Sequence, residues 1–361
     1  VVEVSARRRR YIIDALRRGT VPQAGLDVLA VGLDRFAGAL DEDLDRVASG
    51  GAVFKAVRGD YGSGKTFFTR HLAERALQRG FAVSEVQVSE TETPLHRLET
   101  VYRRVTETLR TASIPPSAFR AVLDSWFYTL EEDALEADPS LDAADGVAVG
   151  AAVGGLVERR LASVASSAPG FALALRGYGV ASLSGEAATA DAVAAWLGGQ
   201  PHVASAAKRA AGVRGGLDHF GAMGFLQGLL TVLRDAGHPG LLLVLDEVET
   251  LQRMRGPTRE KASTPCASGS TSSTRPLPGP LPGRDGHAGL LRRPPGCPAP
   301  GAAGPAAARR LRHRPRFDNP RAVQIRLAAF DQGALLEVGR KVRDLYAEGR
   351  AGEARLRARG G

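Results

Sequence analysis

AVFKAVRGDYGSGKTFFTRHLAERALQRGFAVSEVQV, residues 52–88, reads as the opening of a parallel α/β sheet. Residues 52–58 have the composition of a short strand. Lys65 to Gln78 is a run of helix formers closed by Gly80, and residues 81–88 alternate like a second strand. Between them, GDYGSGKT satisfies the pattern GxxxxGK followed by Ser or Thr. A helix that starts directly behind a glycine loop adds its N-terminal dipole and free N–H groups to an anion site. The whole run Gly59, Asp60, Tyr61, Gly62, Ser63, Gly64, Lys65 and Thr66 is therefore expected to wrap the phosphates of ATP. Lys65 would reach the β- and γ-phosphates and Thr66 would bind Mg²⁺. The competing reading is a glycine turn that merely caps an ordinary helix.

Further along, LLLVLDE at residues 241–247 is an unbroken apolar run ending in two acids. Such a run suits a central strand buried on both faces. A phosphate-binding loop needs a carboxylate near its metal, so Asp246 is the expected Mg²⁺ partner. Glu247 would orient and polarise the attacking water, which makes Lys65 and Glu247 the expected catalytic pair. Asp246 stands 181 residues after Lys65, far more than one helix and one strand require. The intervening stretch is mostly helical, with Leu98, Tyr102, Val105 and Leu109 at helical spacing, and reads as an insertion that forms a subdomain, a partner surface or extra packing helices.

Upstream, residues 11–18 have helical spacing. Leu26 to Val47 reads as a strand or turn and then a helix with Leu33, Phe36, Leu40 and Leu44 on one face. Downstream, a helix is expected from about Glu249. AVQIRLAAF suggests a strand, Gly333 to Glu348 a helix, and the last dozen residues read as frayed. Residues 263–316 are unlike the rest: they hold eleven of the 21 prolines, eight glycines, and no Val, Ile, Met, Phe, Tyr or Trp. Such a stretch buries too little apolar surface to offset chain entropy, so no strand and no core are expected there. The chain thus divides into 1–94 (N-terminal helices and the P-loop half of the core), 95–235 (helical insertion), 236–262 (acid-tipped strand and following helix), 263–316 (aberrant segment) and 317–361 (C-terminal strand and helix).

The net charge of +9 over 361 residues invites a nucleic-acid reading, but residues 263–316 carry nine Arg against the single acid Asp285 and so supply +8 of it. Charge is therefore not read as a DNA footprint. Arg7 to Arg10 reads as a solvated run, with DNA or a nucleotide as the competing partner, and Glu90 and Glu92 as a solvated loop beyond the second strand. The longest apolar-leaning run, Gly146 to Val157, falls short of the roughly 20 residues that span a bilayer. Cys266 and Cys297 lack zinc-site spacing. A cytoplasmic protein without a membrane segment is expected.

With both motifs in place, the stretch from Arg8 to about Lys261 resembles the BrxD family of ATP-binding proteins from bacteriophage exclusion (BREX) defence systems. The phrases that carry the resemblance are RRRYIIDALRRGTVP, LDVLAVGLDRF, FKAVRGDYGSGKTFFTRHLAERAL, VSEVQVSETETPLHRLETVYRRV and LLLVLDEVETLQRMRG, with FDNPRAVQIRL near the end. The resemblance implies a P-loop NTPase fold, AAA/ORC-like, working in antiviral defence with other proteins of such a system. DNA and a second copy of the chain are candidate partners. In such ATPases a box before the P-loop helps cradle adenine; the corresponding residues are Val31, Gly32, Leu33 and Asp34. Residues 263–316 depart from the family, which there adds a strand ending in a polar sensor. Read one nucleotide along with GC-rich codons, LPGRDGHAGLLRRPPG (281–296) becomes LYLVVTGTPAFFDGP, a buried strand followed by a Thr-rich turn. A shifted reading frame and a genuine linker are the two explanations. The first functional expectation is an ATPase driving assembly or remodelling of a defence complex. The second is a nucleotide-gated scaffold or DNA-binding switch with little turnover. Kinase-like transfer to a small molecule is disfavoured because no acceptor-site pattern accompanies the loop.

Overall fold

The computed structural model describes residues 4–248 and 319–359. The helix expected from Glu249 and the lack of a strand expected in 263–316 lie outside the described residues.

The chain begins with α1 (Ala6–Arg17), whose first turn is capped by the Ser5 hydroxyl accepting from Arg8 N at 3.3 Å. Leu26 does not open a strand. It starts a one-turn helix, α2 (Leu26–Leu29), because the Glu74 carboxylate accepts from both Gly25 N (2.6 Å) and Leu26 N (2.9 Å), satisfying the free donors of a helix start. α3 (Asp34–Ala48) then buries Phe36, Leu40 and Leu44 at the expected spacing. β1 is shorter than its apolar run suggests, Ala56–Arg58. α4 (Lys65–Gln78) and β2 (Ala82–Gln87) complete the crossover.

Eight helices separate β2 from β3 (Leu241–Asp246): α5 (Leu98–Thr108), α6 (Phe119–Ala137), α7 (Gly146–Arg160), α8 (Ala162–Ser167), α9 (Pro169–Leu183), α10 (Ala187–Leu197), α11 (Ser205–Ala210) and α12 (Gly221–Asp235). All of them but α11 share one apolar core in which Trp126, Phe171, Tyr178 and Phe225 are buried, and Trp126 meets Phe127 and Phe171 meets Phe225 edge to face, as the ring quadrupoles favour. That core continues onto β2 and β3 through Ala82, Val86, Leu241, Leu243 and Leu245. The alternate residues Val83 and Leu242 face α3 and α4 instead. The period-two alternation of both strands thus places helices on either side of them.

The strands do not form one hydrogen-bonded sheet among the described residues. β2 pairs with β3 in parallel, Gln87 opposite Asp246, and β1 pairs in parallel with β4 (Gln324–Arg326), Ala56 opposite Gln324. Both pairs nevertheless lie under the same two helices: Phe36, Leu40 and Phe68 cover β1–β4, while Leu44, Ala73 and Ala76 cover β2–β3. The expectation that β3 is buried on both faces needs correction. Only Val244 of β3 is buried; its other residues are half-buried. α13 (Gln332–Arg359) closes the chain, docking on α1 and α2 through Val342 and Leu345 and through Lys341 Nζ, which donates to Ala30 O at 2.5 Å. The helix runs on through residues expected to fray.

Candidate functional site

Each glycine of the loop after β1 has a geometric reason. A Cβ on Gly59 would collide with Ser63 Oγ and lie 3.1 Å from Leu327 O, while Gly62 and Gly64 adopt φ of 78° and 84°, left-handed values that a Cβ disfavours. Gly64 is also the N-cap of α4, so the turn feeds directly into a helix whose first N–H groups have no acceptor within the helix. Ser63 N donates to Asp60 O at 3.1 Å and closes the loop. Lys65 Nζ folds back over it, donating to Gly59 O at 3.0 Å and Asp60 O at 3.3 Å. Ser63 Oγ is buried with no hydrogen-bond partner among the described residues, a polar atom held ready for an acceptor or donor from outside. Tyr61 is fully exposed at the tip. Thr66 sits in the first turn of α4, half-buried. One turn further on, burial holds His71 below the ordinary histidine range.

Beside the loop lies a cavity of about 650 Å³ with mainly apolar walls. Val31, Leu33, Gly64, Phe67, Phe330 and Val338 are among its lining residues. The Phe330 ring comes within 3.4 Å of where a Gly64 Cβ would stand. Val31, Gly32 and Leu33 of the expected adenine box therefore face this space, together with Arg35, whose guanidinium lies 4.5 Å from the centroid of the Phe36 ring. The place of Phe330 and α13 beside the loop escaped the sequence reading, because they follow β4 by sequence and reach the loop only through folding.

Asp246 and Glu247 leave the end of β3. β3 is parallel to β2 and pairs Gln87 with Asp246, so the acids emerge where the two strands end side by side. Asp246 Oδ1 accepts from Glu247 N at 2.9 Å, and Glu247 Oε1 accepts from Gln87 Nε2 at 3.1 Å. Gln87 is a second residue missed in the sequence; its only signal is its place at the polar tip of a strand. Among the described residues no group of three or more His, Cys, Asp or Glu gathers as a metal cluster. Thr66 and Asp246 each carry oxygen of the kind Mg²⁺ takes, an ion that binds through one or two protein oxygens plus phosphate and water.

Three of the other sequence candidates have structural employment. Arg8 pairs with Asp27 and Glu74, and Arg9 donates to Val4 O at 3.1 Å. Glu92 pairs with Arg104 at 3.3 Å. No helix among the described residues is long and apolar enough to cross a membrane.

A family model described as BREX system ATP-binding protein BrxC/D matches residues 4–264 and 302–360. No curated protein and no solved structure matches the chain.

Proposed function

From a chain that belongs to the BREX system ATP-binding protein BrxC/D family, we propose an ATPase with an AAA/ORC-like P-loop core, of the BrxD kind, acting in the cytoplasm on a phage-defence complex. The observation that carries this reading is the glycine-shaped turn Gly59–Thr66, which delivers its N–H groups and the start of α4 beside a cavity large enough for a base. In it, the loop holds the phosphates, Lys65 neutralises the β- and γ-phosphates, and the apolar cavity takes adenine. Thr66 and Asp246 hold Mg²⁺, which when bound offsets charge on the transferring phosphoryl group. Glu247 orients the attacking water by accepting its hydrogen bond. Eight helices between β2 and β3 supply a surface for other defence proteins, and DNA and a second copy of the chain are the further partners of this reading.

A scaffold or DNA-binding switch with little turnover is the second reading. The family match skips residues 265–301, inside the Pro- and Gly-rich stretch that departs from the family in sequence. On this view a reading-frame shift has replaced the strand that ends in a polar sensor, leaving binding intact and hydrolysis slow.

Calorimetric titration with ATP and Mg²⁺ tests the first element of both readings. The parent chain should bind, and Lys65→Ala should bind about 10- to 100-fold more weakly, the worth of one charge-assisted contact. Equal affinity would remove the loop from the site. Phosphate release with and without duplex DNA then separates enzyme from switch.

A further inference from the structure

α4 starts at the loop Gly59–Thr66 and carries Phe67, Arg70 and Glu74 at i, i+3 and i+7, a spacing that sets three side chains on one face of a helix. Phe67 lines the cavity beside the loop. The other two reach the segment of chain between α1 and α2. The Arg70 guanidinium donates to Val21 O. One turn on, the Glu74 carboxylate, its side chain only 13% exposed, accepts from Gly25 N at 2.6 Å and Leu26 N at 2.9 Å.

That segment borders the cavity, for Gly19, Thr20, Val21 and Pro22 are among its lining residues. Its other attachments run to α1. Gly19, at φ 68°, turns the chain out of that helix, Thr20 Oγ1 donates to Ala15 O at 3.1 Å, and Gln23 N donates to the Tyr11 hydroxyl at 3.3 Å. Among the described residues its hydrogen bonds to α4 are those of Arg70 and Glu74, and neither of these side chains bonds to residues 59–66. One helix thus carries the loop at its first residue and holds the border of the cavity farther along. Each contact sets a charged group against backbone, the stronger class of hydrogen bond.

The geometry points to Arg70 and Glu74 as positioning residues for the base: they fix residues 19–26 relative to the phosphate loop, and so govern affinity for the nucleoside part of ATP while leaving affinity for its phosphates unchanged. The inference rests on the reading of the loop as the phosphate site and of the cavity as the base site. An apolar ring gains affinity from walls already in place, because a border that must be ordered on binding costs part of the gain. The phosphates, held by loop N–H groups and the start of α4, do not feel that cost.

Calorimetric titration with two ligands, ATP and inorganic tripolyphosphate, each with Mg²⁺, tests this in Arg70→Met and Glu74→Gln. The first variant removes a positive charge from α4 and the second a negative one. Positioning requires both to bind ATP about 3- to 10-fold more weakly, the factor one such hydrogen bond is worth, with tripolyphosphate affinity as in the parent. Arg70→Lys, which keeps a donor, should recover most of the ATP affinity. A purely electrostatic role would move tripolyphosphate affinity in opposite directions in the two variants, and a general loss of structure would weaken both ligands alike. Either result, or unchanged ATP affinity, overturns the inference. Without ligand, amide deuterium exchange across residues 19–26 should quicken in both variants while residues 59–66 exchange as before. Equal exchange across 19–26 also overturns it. A parent chain that binds neither ligand would refute the phosphate-loop reading and this inference with it; a parent that binds both leaves that reading standing, whatever the variants do.

Discussion

Gly59 is the residue whose side chain, a hydrogen, the loop can least exchange. Any Cβ there meets Ser63 Oγ and the Leu327 carbonyl, one from the loop itself and one from the residue that follows strand β4. Gly59→Ala must therefore open the loop or push β4 away, and a destabilisation of about 1–3 kcal/mol is expected, with weaker ATP binding. Thermal denaturation and titration of the same sample check both. Glu247→Gln keeps the side chain's shape and its bond to Gln87 through the remaining oxygen, yet an amide accepts a water's hydrogen bond without a full negative charge. ATP affinity should stay and phosphate release should slow by about 100-fold or more. Unchanged turnover would assign the water to another group. The loop's turn was legible in sequence because its glycines stand where a Cβ would collide or the backbone takes a positive φ. Gln87 was not, because nothing in a strand's alternation says which tip residue reaches its neighbour's acid.

Among elements, α4 is the one the sequence delimits best. Its expected bounds, Lys65 and Gln78, are those observed, since glycines with positive φ stand at both ends, Gly64 and Gly80. β1 came out shorter than its apolar run, and Leu26 began a one-turn helix where a strand or turn was expected, because a carboxylate 48 residues away caps that turn. Long-range capping leaves no local trace. α3 is fastened to α4 by a similar device: Arg75 donates to both oxygens of Asp41, and Arg79 donates to Asp41 and Asp45. The Arg75 hydrogen bonds hold the Asp41 carboxyl below its ordinary value, despite the opposing effect of burial. A depressed folded pKa contributes stability that is present above the unfolded value and lost as pH falls through the folded one. The parent chain should therefore lose part of its thermal stability on acidification below about pH 4, and Asp41→Asn should lower the melting temperature at pH 7 while flattening that acid limb. An identical acid limb in both would show that Asp41 contributes nothing to it.

For the whole molecule, the decisive fact is that two strand pairs share one helical cover without sharing a ladder among the described residues. The charge and composition of 263–316 were legible at once. The interruption of the family match at 265–301 falls within the same stretch. If a frame shift explains both, resequencing of the gene should show it, and a chain carrying LYLVVTGTPAFFDGP at that place should melt at higher temperature and release phosphate faster. Tryptic peptides from 263–316 in the native protein, matched by mass spectrometry to the sequence as read, would instead establish a true linker. The helical insertion could be seen in sequence as helices. It could not be seen as one layer on β2 and β3, since that contact depends on which face of each strand its residues take.

The cavity beside the loop is lined by residues drawn from three remote stretches of the chain, 16–36, 63–67 and 327–342. A ligand lodged there would therefore serve as a spacer joining remote parts of the chain, as a keystone does between two halves of an arch. Its arrival should be readable far from any chemistry, as slower amide deuterium exchange along the first turns of α13 and along α2, with α6 and α9 exchanging as before.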